Sequence, residues 1–165
     1  IFGMGNIGQA IARRASGFDM EILYTDRYQP EGLPYLYCED LHSLARKSDF
    51  LVIAASGSAD NNTVIDASVF NALPNHAWLI NIARGSLVDE VALIQALKQG
   101  NIGGAALDVY ENEPNVPQEL INLDNVVLQP HVASATVETR QKMSDVVFEN
   151  VSAFFNKQPL PHSIK

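Results

Sequence analysis

Long hydrophobic runs are missing from this chain. The longest, FLVIAA (50–55) and AWLINIA (77–83), fall far short of the roughly 20 apolar residues a membrane-spanning helix needs, so both read as buried strands. Cysteine is almost absent. Cys38 alone cannot close an internal disulfide, and no charged stretch followed by an apolar segment marks a secretory leader, so a cytoplasmic setting is expected. Positive charge is also short: 11 Lys and Arg against 19 Asp and Glu leave a net charge of −8. That balance argues against an electrostatic nucleic-acid or anionic-membrane surface and for a small-molecule partner. Metal-ligand spacing is lacking, so no metal is expected, and His42, His76, His162 and Cys38 read as surface or packing residues. With neither repeats nor low-complexity stretches, 165 residues suffice for one globular domain burying about 70% of its unfolded surface.

What is present is a rhythm. Apolar, β-rich bursts at MEILYT (20–25), FLVIAA, AWLINIA, GGAALDV (103–109) and NVVLQ (125–129) alternate with helical patterns, which predicts an α/β fold with a parallel sheet. NIGQAIARRASG (6–17) carries Ile7, Ile11 and Ala15 at helical spacing. DEVALIQALKQG (89–100) carries Val91, Ile94 and Leu97, with Asp89 as N-cap and Gly100 beyond the end. DLHSLARKS and DASVFNALP read as shorter helices, each started by an Asp. A long amphipathic helix is predicted from Thr136 to about Asn156, followed by an extended tail. The irregular segments 26–40, 56–65 and 110–124 each follow a strand, where an open α/β sheet places its chemistry.

The opening IFGMGNIG holds Gly3, Gly5 and Gly8 in a G-x-G-x-x-G pattern, running into a helix and then a strand that ends at Asp26, eighteen positions after Gly8. That context fits dinucleotide binding. Gly3 permits the tight turn, Gly5 lets a pyrophosphate approach the backbone, and Gly8 lets the helix pack on the sheet. The helix N-terminus then receives the phosphates. Asp26 would accept hydrogen bonds from both adenine-ribose hydroxyls and repel a 2′-phosphate, favouring NAD. Arg27 beside it leaves NADP open, because its guanidinium could receive that phosphate.

Three further stretches end successive strands: NIARGSLVDE (81–90), GGAALDVYENEP (103–114) and QPHVASATVETR (129–140). On these motifs the chain resembles the D-2-hydroxyacid dehydrogenase family, in its glyoxylate/hydroxypyruvate reductase-like and phosphoglycerate dehydrogenase-like branches, over nearly its whole length. The resemblance implies a Rossmann-type doubly wound sheet in strand order 3-2-1-4-5-6, with NVVLQ offering a seventh strand. It makes Arg84 the residue that holds the substrate's carboxylate and keto oxygen, His131 the acid/base and Glu113 its partner. It also implies Asn6 and Ile7 at the pyrophosphate turn, Ile82 and Ala83 along the cofactor wall, and Asp108 at the nicotinamide carboxamide.

The chemistry agrees with these roles. Reduction of a 2-keto acid needs a hydride on carbon and a proton on oxygen, which an imidazole delivers near neutrality. A carboxylate partner holds that proton to higher pH, and a planar guanidinium suits a carboxylate beside a carbonyl. Glu111 competes with Glu113 as the partner; the family pattern puts the functional carboxylate directly before the proline, which selects Glu113.

The chain departs from the family in two places. The loop SGSADNNT (56–63) replaces a Pro- and Thr-rich loop, so the adenine side is expected to differ. Family members also place a substrate domain before the fingerprint, whereas this chain begins inside its own first strand. Residues 1–165 are therefore expected to be the NAD-binding domain with a C-terminal helix and tail, inactive alone, and homodimeric at full length. The implied reaction is NAD-dependent interconversion of a small 2-keto acid, of the glyoxylate or hydroxypyruvate type, with its D-2-hydroxy acid. Two alternatives stand beside it. An NAD-sensing corepressor-like module would bind the cofactor without turnover, and retention of Arg84, Glu113 and His131 argues against it. Formate dehydrogenase relatives carry Gln where Glu113 stands.

Overall fold

Phe2 joins the two parts of the sheet in the computed structural model, which describes residues 1–57 and 63–163. The centre of the SGSADNNT loop, where the adenine side was expected to differ, lies outside the described residues. Phe2 donates its amide to the Val52 carbonyl at 2.8 Å and accepts from the Ala54 amide at 2.8 Å, while Thr25 N donates to the Ile1 carbonyl at 3.1 Å. On one side of Phe2 lie β1 (Leu23–Tyr24) and β2 (Leu36–Tyr37); on the other lie β3 (Phe50–Ile53), β4 (Trp78–Asn81), β5 (Gly104–Leu107) and β6 (Val126–Leu128). Every pairing is parallel. Numbering strands along the chain with Phe2 as the first gives the expected 3-2-1-4-5-6 order, and NVVLQ does form a seventh. The third position is filled from the segment 26–40, which had read as irregular: β2 is only two residues long, too short for any period-2 pattern to register.

Two compact units make up the chain, Ile1–Pro130 and His131–Lys165. In the first, α2 (Leu41–Ala45), α3 (Ala67–Ala72) and α4 (Glu90–Gln99) pack side by side. They cover the sheet face bearing Leu51, Ile53, Leu79, Ala105 and Leu107, and all five side chains are buried in one core with Leu44, Phe70, Leu93 and Leu97. A second cluster of Ile1, Met4, Ala12, Ile22 and Tyr24 lies at α1 (Asn6–Ser16). Truncating one such fully buried leucine to Ala removes about 2–5 kcal/mol, so this layer dominates the stability of the unit.

The caps follow the chemistry of the sequence. Asp40, Asp66 and Asp89 accept from the amides of Ser43, Ser68 and Val69, and Ala92, at the starts of α2, α3 and α4. Gly100 ends α4 in the left-handed region at φ 69°. Two expected core positions are turned outward: Ile7 is 58% exposed and Val91 69%. Helix α1 buries Gly8 and Ala12 instead, small residues that let it lie close on the glycine turn, and α4 buries Leu93 and Ala96 beside Leu97. The irregular segment 110–124 contains the one-turn helix α5 (Gln118–Ile121).

The second unit holds α6 (Val137–Phe155), capped by the Thr136 hydroxyl, which accepts from Thr139 N. The tail expected to be extended turns back on this helix. His162 N donates to Asn150 Oδ1 at 3.0 Å, Asn150 Nδ2 donates to the His162 carbonyl at 3.2 Å, and the His162 ring stands 2.6 Å from Glu149. Among the described residues no helix is long and apolar enough to cross a membrane.

Candidate active site

Because all strands run parallel, the loops after them gather at one edge of the sheet. A cleft of about 830 Å³ opens there in the first unit. Gly3, Gly5, Asn6, Ile7, Asp26, Ile82, Ala83 and Arg84, all expected cofactor contacts, line it. Gly8 lies beneath the cleft rather than on its wall, and Asp108 is buried outside the lining.

The three glycines separate into three physical roles. Gly3 has φ +95°, and a Cβ there would come within 2.4 Å of Ala55 N. A Cβ on Gly8 would lie 2.0 Å from the Gly3 carbonyl oxygen, so the helix rests directly on the turn. A Cβ on Gly5 meets nothing within 4 Å. Helix α1 begins at Gly5 with no side chain capping its first amides, and the Asn6 and Ile7 turn faces the cleft. An uncapped helix N-terminus beneath an open glycine is a cradle for a phosphate, so the residues present fit a dinucleotide.

Asp26 does more than its sequence position indicated. One carboxylate oxygen accepts from Met4 N at 2.5 Å and the other from Arg27 N at 2.6 Å, which ties the glycine turn to the end of β1. A carboxylate offers about four acceptor sites, so capacity for hydroxyl donors remains. Arg27 and Tyr28 line the same end of the cleft, and so do Glu39 and Asp40, which sequence reasoning missed because the strand before them, β2, went unseen. Hydrogen bonds from the Ser43 hydroxyl and amide hold the Asp40 carboxyl below its ordinary range, so this rim is acidic.

At the other end, the buried Asn81 shapes the turn after β4. Its Oδ1 accepts from Ala83 N and its Nδ2 donates to the Arg84 carbonyl, each at 3.0 Å. The Arg84 stem lies across Gly57, where a Cβ would come within 2.9 Å of Arg84 Cγ, and its guanidinium donates to the Ala83 carbonyl at 2.6 Å. The next residue, Gly85, touches the loop after β5: a Cβ there would fall 1.9 Å from both the carbonyl carbon and oxygen of Tyr110. The structure therefore brings the Arg84 turn and the Glu113 loop into backbone contact.

Within that loop Glu113 Oε1 accepts from Tyr110 N at 3.1 Å, and Asp108 N donates to the Asn81 carbonyl at 3.0 Å. Tyr110, almost fully buried, donates its hydroxyl to the Gln129 carbonyl at 2.9 Å, with the Leu107 carbonyl at 3.3 Å. Glu90 is buried at 8% exposure and accepts from Glu111 N at 2.8 Å. Burial raises the Glu90 carboxyl above its ordinary range, an effect the Glu111 amide opposes and the Glu111 carboxylate reinforces. Neither Tyr110 nor Glu90 was singled out from the sequence, where a Glu in the first turn of a helix reads as a solvated, dipole-matched charge. His131 opens the second unit, two residues beyond Gln129, in the left-handed region at φ 54°. Asp19, Thr63 and Lys157 share that left-handed conformation, which His adopts more readily than most residues.

Residues 1–133 match the family described as the D-isomer specific 2-hydroxyacid dehydrogenase, NAD binding domain. The glyoxylate/hydroxypyruvate reductase A of Arabidopsis thaliana is 48% identical over 160 residues, covering 97% of this chain and 51% of the relative. The 2-ketogluconate reductase of Gluconobacter oxydans is 45% identical over 161 residues, 97% of this chain and 52% of that protein. Among solved structures, the NADPH-dependent glyoxylate/hydroxypyruvate reductase of Sinorhizobium meliloti, in complex with NADP and malonate, superposes with a TM-score of 0.95 at 46% identity. That match covers 99% of this chain and 51% of the other. The chain thus spans about half the length of the curated relatives it matches.

Proposed function

The chain belongs to the D-isomer specific 2-hydroxyacid dehydrogenase family, through its NAD-binding domain, and from that premise we propose that it is the cofactor-binding and catalytic part of a reductase of small 2-keto acids. The observation that carries the reading is the contact between the Arg84 turn and the Glu113 loop at the ends of adjacent parallel strands, next to a cleft built for a dinucleotide. When bound, the nicotinamide supplies or takes the hydride. Arg84 binds the substrate carboxylate and polarises the keto oxygen. His131 gives that oxygen its proton, and Glu113 partners the imidazole and orients it. Asp108 serves the carboxamide end, and residues 1–165 work with a substrate-binding domain of the kind the family carries.

For the cofactor, the acidic rim of Asp26, Glu39 and Asp40 favours NAD, since each charge repels a 2′-phosphate. Arg27 on the same rim and the NADP-bound relative from Sinorhizobium meliloti support NADP as the second reading. Glyoxylate and hydroxypyruvate are the substrates proposed, on the strength of the relatives' activities. A cytoplasmic location and a homodimeric assembly complete the proposal; they rest on composition and on family resemblance.

The test is NADH and NADPH binding by fluorescence titration, followed by glyoxylate turnover in the full-length protein and its His131→Ala variant. Loss of turnover of about 10²–10⁴-fold with cofactor binding intact supports the enzyme. Tight NADH binding with no turnover in the parent protein supports the sensing module instead, and absence of binding to either nucleotide sinks both readings.

A further inference from the structure

Two buried groups beside the proposed site, the Glu90 carboxylate and the Tyr110 hydroxyl, have no part in the roles assigned so far. Both act on the same short stretch of backbone. Tyr110 N donates to Glu113, and the next amide, Glu111 N, donates to Glu90, so consecutive peptide groups are divided between two carboxylates. Glu90 reaches across from the first turn of α4, a helix locked into the core through Leu93, Ala96 and Leu97. From the other side, the Tyr110 hydroxyl donates to the carbonyl of Gln129, the residue that leaves β6 two positions before His131. The third support is Gly85, packed against the Tyr110 carbonyl directly after Arg84.

A buried carboxylate is a poor choice for stability alone. Removing it from water is costly unless strong hydrogen bonds compensate, and an apolar residue of similar size would avoid the cost. What a carboxylate provides that an apolar side chain cannot is a short, charge-assisted hydrogen bond to one defined amide. That bond fixes the rotation of the Tyr110–Glu111 peptide group, the immediate neighbour of the Val109–Tyr110 group whose amide Glu113 accepts.

We infer that Glu90 and Tyr110 are positioning residues, which brace the loop carrying Glu113 between the Arg84 turn and the end of β6 and so set where the Glu113 carboxylate stands. The inference rests on the proposed pairing of Glu113 with His131. It explains why the segment 110–113 is held by the Glu90 side chain from α4 and by the Gln129 carbonyl just beyond β6, rather than by contacts within the loop alone.

The experiment follows the His131 ring resonances by NMR at fixed pH in the purified protein and in four variants. Glu113→Gln displaces the His131 ring resonances, as expected when the proposed charged partner of an imidazole is replaced by a neutral amide. Tyr110→Phe, which keeps the ring and its packing, and Glu90→Leu, which removes the acceptor, each reproduce at least half of that shift. Glu90→Gln, whose amide oxygen still accepts from Glu111 N, restores the parental value. A residue that merely supports the fold would lower the thermal midpoint and leave His131 unmoved. If Glu113→Gln shifts His131 while Tyr110→Phe and Glu90→Leu do not, the positioning role is overturned and the pairing survives. If Glu113→Gln itself leaves His131 unmoved, the pairing fails and this inference with it. Should Glu90→Leu precipitate, Tyr110→Phe decides alone.

Discussion

Replacing Gly85 with Ala is the sharpest perturbation of the proposed site that leaves every polar group in place. The new Cβ would sit 1.9 Å from the Tyr110 carbonyl carbon and oxygen and 2.4 Å from Glu111 N. Carbon contacts settle near 3.5–4.0 Å, so the Arg84 turn and the Glu113 loop must part by roughly 1.5–2 Å. Both partners are backbone, and neither can swing aside as a side chain would. Overpacking of this kind costs about 1–3 kcal/mol of stability, and in a chain of this length each kcal/mol lowers Tm by ~2–4 °C. The effect on chemistry is larger, because misplacing reacting groups by about 1 Å costs on the order of 10²-fold. Glyoxylate-dependent NADH oxidation by the full-length protein should therefore fall about 10²-fold, while the glycine turn at the far end of the cleft keeps its place. A Gly85→Ala variant that folds with an unchanged Tm and turns over within twofold of the parent, about 0.4 kcal/mol, would refute the contact and the reasoning built on it.

Two further outcomes separate binding from folding and define a pH dependence. Gly5→Ala leaves the thermal midpoint unchanged, because its Cβ meets nothing, yet weakens NADH binding; Gly8→Ala, with its Cβ 2.0 Å from the Gly3 oxygen, lowers both, and thermal melts paired with fluorescence titration check the contrast. The Glu90 carboxyl is raised in the folded state by burial, so its contribution to stability is complete below the ordinary value of 4.5 and is lost as pH rises through the folded value. Asp66 is lowered by the Ser68 hydroxyl and behaves oppositely: its contribution is present above 3.8 and lost as pH falls through the folded value. In urea unfolding across pH, Glu90→Gln should flatten the decline towards neutrality and Asp66→Asn the decline in acid; curves parallel to the parent's would contradict these assignments.

Much of the frame was legible in the sequence for local reasons. Asp89 and Gly100 bracket α4 because a short acceptor stops a helix at its start and a residue tolerant of positive φ stops it at its end. FLVIAA and AWLINIA read as strands because both faces of a central parallel strand meet other groups, which leaves a continuous apolar run. Other features left no such trace. Strand β2 is two residues long and carries no pattern. Ile7 and Val91 fit helical periodicity yet face outward, because periodicity marks a stripe without saying which neighbour will cover it. The last helix also follows its period, and none of its residues is buried within its own unit.

The candidate site divides in the same way. Residue type and order along the chain determined which groups could carry the proposed chemistry: the glycines, Asp26, Arg84, Glu113 and His131 each have a donor, acceptor or backbone freedom that the proposed reaction needs, and those properties belong to the residue wherever it lies. Only the tertiary structure decided that Gly85 must be a glycine, that Asp26 ties down Met4, and that a glutamate in the first turn of α4 holds the amide of a loop 21 residues away. Those facts depend on which backbones approach closely once the sheet has assembled, and close approach across the fold is a property of packing that no single stretch of sequence contains.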